Sequence, residues 1–266
     1  MKFGWCLPLS EATLIRQTGF DFLEAPLAPL GLETPSGLAA AKARIVECPA
    51  PIEAFNSLFP SGMKIVGPSV NNDAIVSQLG RIGEAVECAK AKIVVFGDGA
   101  ARSVPVGFDR RRAEEQYLNC LAWAANALKG TGATLVIEPI NRNRTNFLNS
   151  LSEAAHYAKL VNRSHVKVVA DFYHMQEEQE SLSEISAHKD WIVHIHLADT
   201  GRKNPGSGHY DYDAFFSELR SVGYTGRLVG ECIISDPEAE MRYSATFLRA
   251  RHSLVASANV SPPLRD

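Results

Sequence analysis

No stretch of this 266-residue chain reaches the roughly 18 consecutive apolar residues of a membrane-spanning helix. The opening MKFGWCLPL lacks the apolar run of a secretory signal, so a cytoplasmic protein with no membrane partner is the expectation. Paired cysteines are missing too. Cys6, Cys48, Cys88, Cys120 and Cys232 are scattered, odd in number and free of CxxC spacing, which argues against a disulfide framework or a structural zinc knuckle. Each reads as a small buried hydrophobe. Nor is there a block of one charge. Lys plus Arg number 27 against 30 for Asp plus Glu, a net charge of −3, so nothing forces the basic face of a nucleic-acid binder. With no linker or low-complexity tract, one domain over residues 1–266 is expected, ending in a polar tail at 257–266.

The composition is globular: 45% of residues are apolar and 21% charged, enough for a single large core. Short apolar, β-branched runs alternate with longer amphipathic stretches. The runs predict strands at 2–7, 20–27, 52–59, 92–99, 134–140, 166–172, 192–198 and 227–233. Helices are expected at 10–18, 36–47, 73–91, 109–129, 150–162, 179–189, 211–222 and 236–257. Ser10 and the Asn149-Ser150 pair supply candidate N-caps, and Gly19 a helix stop. Strands 4, 5, 6 and 8 are nearly continuous apolar runs, as parallel strands covered on both faces are. Eight such units predict an α/β fold, a single (β/α)8 TIM barrel.

Active sites of these barrels form at the C-terminal ends of the strands. Strand 5 ends at Glu138, strand 6 at Asp171, strand 7 at His196 and strand 8 at Glu231. A carboxylate after an apolar run is costly to bury unless something pairs with it. One cation explains all four residues together. Three carboxylates and an imidazole suit a hard or borderline divalent ion: Mn²⁺, Mg²⁺ or Co²⁺ ahead of Zn²⁺.

The segments VIEPINR (136–142), VADFYHM (169–175), HIHLAD (194–199) and VGEC (229–232) resemble the xylose isomerase-like sugar isomerase and epimerase family, which includes ketose 3-epimerases and hydroxypyruvate isomerase. The likeness runs from GFDFLE (19–24) to GYTG (223–226). It implies that Glu138, Asp171, His196 and Glu231 are metal ligands and that Glu138 and Glu231 also move protons. His174 and Arg202 fall on substrate-oxygen contacts. The implied reaction passes through an enediolate of a small sugar or keto-sugar, whose developing charge a metal stabilises. Family members commonly assemble as dimers or tetramers through the outer helices; apolar Phe247, Leu248, Leu254 and Val255 on the last helix fit such a contact or packing on the barrel.

The chain departs from both subgroups. Arg144 stands where the ketose 3-epimerases carry an acidic residue. His196 stands where hydroxypyruvate isomerase tends to carry glutamine. Arg142 and Arg144 form a candidate reader of a substrate carboxylate or phosphate. His209 is a further candidate pocket residue, and Trp5, Cys6, Phe96, Asn71 and Asn72 are candidate pocket walls. Three other outcomes share the barrel. A dehydratase or other lyase would use the same ligands and expel a leaving group. An apurinic endonuclease of the endonuclease IV type needs histidines from the first half, but all eight here lie after residue 155. A non-catalytic sugar-binding subunit would be expected to have lost a ligand.

Overall fold

A computed structural model describes residues 1–257, with side chains through Ser253. Its strands are β1 (Lys2–Cys6), β2 (Phe22–Pro26), β3 (Ile52–Asn56), β4 (Ile93–Phe96), β5 (Thr134–Ile137), β6 (Val166–Asp171), β7 (Ile192–Leu197) and β8 (Arg227–Gly230). All pair in parallel, in sequence order, and β8 returns to β1 to close the barrel. The fold is a (β/α)8 barrel.

The helices are α1 (Thr13–Gln17), α2 (Pro35–Val46), α3 (Asn72–Ala89), α4 (Gly99–Arg102), α5 (Arg110–Ala127), α6 (Leu151–Val161), α7 (Phe172–Glu177), α8 (Ser183–Ala187), α9 (Tyr212–Ser221) and α10 (Pro237–Ser257). Outside the strands α2, α3, α5, α6, α8, α9 and α10 pack each against the next, and α10 meets α1. Ser150 caps α6 by accepting from Glu153 N at 3.2 Å, as its sequence predicts. Ser10 does not cap α1; it lies in a 3-10 turn, and the residue before α1 is Ala12, with no side-chain bond. The stretch predicted as one helix at 179–189 is helical only as α8; a separate α7 starts earlier, ahead of it, and left-handed Gln179 (φ 55°) lies between the two. Asp171 causes the early start. It ends β6 and caps α7 directly, leaving no loop between them.

Alternation along the strands decides what the barrel encloses. Phe22, Ala54, Ile93, Val95, Val136, Val169 and Val229 form its inner apolar filling. The residues two positions further on keep the same parity: Glu24, Asn56, Gly97, Glu138, Asp171 and Glu231. Pairing in register adds Cys6 beside Glu24 and His196 beside Asp171. Each strand thus contributes one residue to a layer at the C-terminal mouth, above an apolar filling.

Several expected positions serve packing. Trp5 is fully buried edge-on to Phe20, and Phe96 packs edge-on to Phe59. Asn71 caps α3 by accepting from Ala74 N at 3.1 Å, with Asn72 as the first helical residue. Leu248 is buried against the barrel, and Phe247 lies edge-on to Tyr212. The side chains of Leu254 and Val255, and the tail from residue 258, fall outside the described residues. Cys120 is buried, while Cys6, Cys48, Cys88 and Cys232 are half-buried and all five are free thiols. No described helix is long and apolar enough to cross a membrane.

Candidate metal centre and active site

Glu138, Asp171, His196 and Glu231 each offer a donor atom, and these four atoms lie within 4.8 Å of one another. His196 is central. Its Nδ1 is 2.7 Å from Glu138 Oε1, 3.6 Å from Glu231 Oε2 and 3.8 Å from Asp171 Oδ2. His196 and Asp171 are buried at their strand ends; Glu138 and Glu231 follow β5 and β8 by one residue.

Local structure holds these side chains. Arg102, fully buried, donates to Glu138 O at 2.7 Å and to the carbonyls of Phe96, Phe147 and Leu148. It thereby ties the end of β4 to the start of the β5–α6 loop. Gly97 leaves space for the Glu138 carboxylate: a Cβ there would sit 1.8 Å from Glu138 Oε2. Asp171 Oδ1 accepts from His174 N at 2.9 Å, so the cap of α7 also aims the other carboxylate oxygen at the cluster. Arg202 sits in a left-handed conformation (φ 60°) after Gly201 (φ 71°). Asp199 builds that loop by accepting from the amides of Thr200, Gly206 and Tyr210. The result places Arg202 Nη2 2.6 Å from Glu231 Oε2, with the guanidinium over the Tyr173 ring.

The electrostatics follow from crowding and burial. Burial pushes Glu138 up to about 7, helped by the charges of Glu231 and Asp171 and opposed by His196. Glu231 is raised by burial and by Asp171 and Glu24, against His196 and Arg202. Asp171 ends below its ordinary value; His174, His196 and Arg202 outweigh its burial. His196 is held well above the imidazole range, because Glu24 and Glu138 outweigh burial. His174 is pushed down to about 4 by burial, with Arg202 and Arg144 adding to the effect, so it stays neutral. Three carboxylates around one ring are therefore under-neutralised. A divalent cation fits this donor set: it supplies the missing positive charge and takes the oxygen-rich ligands it prefers.

A cavity of about 250 Å³ opens above the cluster, lined by Glu138, Glu231, His174 and Arg202. The structure thus brings all six residues singled out from the sequence to one place. Arg202 Nη1 is buried there without a protein partner. The arginine pair divides: Arg142 is bound to Glu178, whereas Arg144 lines the cavity with Lys64 and, among the described residues, meets no carboxylate. His209 is exposed and away from this cavity; its N–H donates to Thr200 Oγ1 at 3.1 Å. Its place in a turn gives it a backbone role.

Residues 12–251 match the family of xylose isomerase-like TIM barrels. The chain belongs to this family. Among curated proteins it resembles 3-dehydro-D-guloside 4-epimerase of Escherichia coli (strain K12), 36% identical over 122 residues, 45% of this chain and 47% of that protein. It also resembles 2-oxo-tetronate isomerase of Cupriavidus necator, 34% identical over 154 residues, 55% of this chain and 58% of that protein. These matches span about half the length of the curated relatives. Among solved structures, 3-keto-D-glucoside 4-epimerase from E. coli superposes with a TM-score of 0.79 at 26% identity, covering 94% of this chain and 99% of that one.

Glu24, Asn56, Gly97 and His194 carry no role in the sequence reading. The missed signal was parity. His194 precedes His196 by two on one strand, and Glu24 interrupts an apolar run as Glu138 does.

Proposed function

We propose that this xylose isomerase-like barrel is a divalent-metal-dependent sugar isomerase or epimerase. It acts through an enediolate on a ketose, keto-sugar or related hydroxy-carbonyl substrate. One observation carries the reading: three carboxylates and an imidazole from four successive strand ends converge within 4.8 Å under an open cavity. The names of the relatives, epimerases and an isomerase of oxo-sugars and oxo-acids, support it.

Glu138, Asp171, His196 and Glu231 would hold the metal, with Mn²⁺, Mg²⁺ or Co²⁺ fitting the donors ahead of Zn²⁺. A bound cation polarises a substrate carbonyl and stabilises negative charge developing on its oxygen. The chain does the rest. Glu138 and Glu231 rise from β5 and β8, three strands apart round the ring. One removes the proton from the carbon next to the carbonyl, and the other returns a proton. Return to the opposite face of that carbon gives the epimer; return to the neighbouring carbon gives the aldose–ketose isomer. Arg202 fixes Glu231 through Nη2 and keeps Nη1 for a substrate oxygen. His174 accepts from Asn141 N at its Nδ1, which leaves Nε2–H to donate to a substrate hydroxyl.

Product analysis tests this reading. The protein is stripped with chelator, reloaded separately with Mn²⁺, Co²⁺ or Mg²⁺, and offered ketoses, keto-acids and keto-inositols. Products of unchanged mass, formed only by loaded protein, are expected. Loss of water or of a leaving group would replace the isomerase by a lyase on the same site.

A further inference from the structure

Beneath the carboxylate cluster lies a second buried polar group that the proposed reaction does not consume. Glu24 is wholly buried. Its Oε2 accepts from His194 Nε2 at 2.8 Å, and its Oε1 accepts from Asn56 Nδ2 at 3.0 Å. His196 Nε2 lies 3.0 Å from the same Oε1, off the hydrogen-bond axis, and is offered no aligned acceptor elsewhere. Asn56 Nδ2 also reaches Glu231 Oε1 at 3.2 Å and Cys6 Sγ at 3.1 Å. The amide can be oriented only this way; reversed, its oxygen would face two carboxylates.

A wholly buried carboxylate next to the apolar filling of the barrel is expensive. What Glu24 contacts explains it. An imidazole that ligates a cation through one nitrogen is neutral and carries its single N–H on the other. A carboxylate beside Nε2 puts the proton there and turns the Nδ1 lone pair toward Glu138, Asp171 and Glu231. Through Asn56 the same carboxylate is linked to Glu231 on the far side of the cluster.

We propose that Glu24 and Asn56 form a positioning pair that sets the tautomer of His196 and the orientation of Glu231, so building the cation site from below. The proposal rests on the metal reading above. Glu24, His194 and His196 also bring three donor atoms within 4.8 Å and constitute the rival assignment, a second cation site. That rival requires one imidazole ring to serve two ions. It also leaves the Asn56 bridge to Glu231 without a purpose.

Cobalt titration of the intact chain, followed by visible absorption and by competition with a chelating dye, separates the possibilities. Wild type is expected to take up one equivalent. Glu24→Gln should weaken Co²⁺ affinity about 10–100-fold and shift the absorption bands, the usual effect of losing a partner behind a ligating histidine. Glu24→Asp should recover part of the loss. Asn56→Ala should also alter the bands. Nitrogen-15 NMR of the Zn²⁺-loaded protein should show His196 protonated at Nε2. Unchanged affinity and bands in folded Glu24→Gln and Asn56→Ala would overturn the positioning role while leaving the metal reading intact. Two equivalents in wild type, falling to one in His194→Asn, would establish the rival site. No uptake by wild type would remove both the pair's role and the metal reading.

Discussion

At Glu138 two demands compete. Burial favours the neutral acid, while the proposed chemistry needs a carboxylate that returns to the acid in each turnover. Without a cation, burial wins and holds the group up to about 7; a bound cation would favour the carboxylate. A glutamine at this position keeps the shape and loses the proton traffic. Glu138→Gln and Glu231→Gln should each lower kcat by about 10²–10⁴-fold, the range for loss of a general acid or base. Steady-state kinetics on reloaded protein check this, and full activity in either variant contradicts the proton-transfer assignment. His174→Ala should instead act mainly on KM. Arg144 poses a different question, because it faces the cavity without a carboxylate partner. Arg144→Gln should raise KM for a substrate bearing a carboxylate or phosphate by about 10-fold or more, roughly one charge-assisted bond. A neutral ketose should be little affected. An equal effect on both would remove Arg144 from substrate recognition.

At the scale of elements, the layer at the barrel mouth explains both what the sequence showed and what it hid. Glu138, Asp171, His196 and Glu231 were legible because each follows an apolar run on a strand whose two faces are covered. The runs also located all eight strands, but their predicted ends overshot: apolar side chains continue past the last ladder bond, as at 57–59 and 139–140. Helix boundaries were less legible where tertiary contacts set them. Arg102, at the end of the short helix α4, donates to four carbonyls, contacts that no local pattern announces. The first four strands read as plain walls because they carry no histidine; their part is to supply Cys6, Glu24, Asn56 and the empty place at Gly97. That empty place is testable. Gly97→Ala should fold, since the glycine lies at a strand end, yet push Glu138 aside and lower kcat by about 10²-fold, the cost of a misplacement near 1 Å. Circular dichroism beside kinetics decides; wild-type kcat would mean Glu138 tolerates the shift.

The whole molecule carries a pH signature. Burial holds Asp98 up to about 6, and Glu138 and Glu180 up to about 7. Unfolded, these groups would lose their protons at about 4. Between those limits the folded chain binds more protons, so stability falls as pH rises. His196, also raised, acts in the same direction: its contribution is complete below the ordinary imidazole range and is lost toward high pH. Glu24 and Asp171 are lowered, so their contribution is present at neutral pH and disappears only in acid. A cation needs its ligands deprotonated, and its stabilisation therefore grows over the window in which the stripped protein weakens. The Tm difference between Mn²⁺-loaded and stripped protein should widen from about pH 5.5 to about pH 8. A constant or narrowing gap would contradict the metal assignment to these titrating ligands.

Deuterium uptake from D₂O addresses the central claim most directly. Stripped, Mn²⁺-loaded and glutamine-variant proteins are incubated with the substrate panel, and exchange at the carbon next to the carbonyl is followed by NMR. The account predicts exchange in the loaded wild type alone, with slow or no exchange in Glu138→Gln and Glu231→Gln. Equal exchange by stripped protein, or by loaded protein lacking both carboxylates, would contradict it.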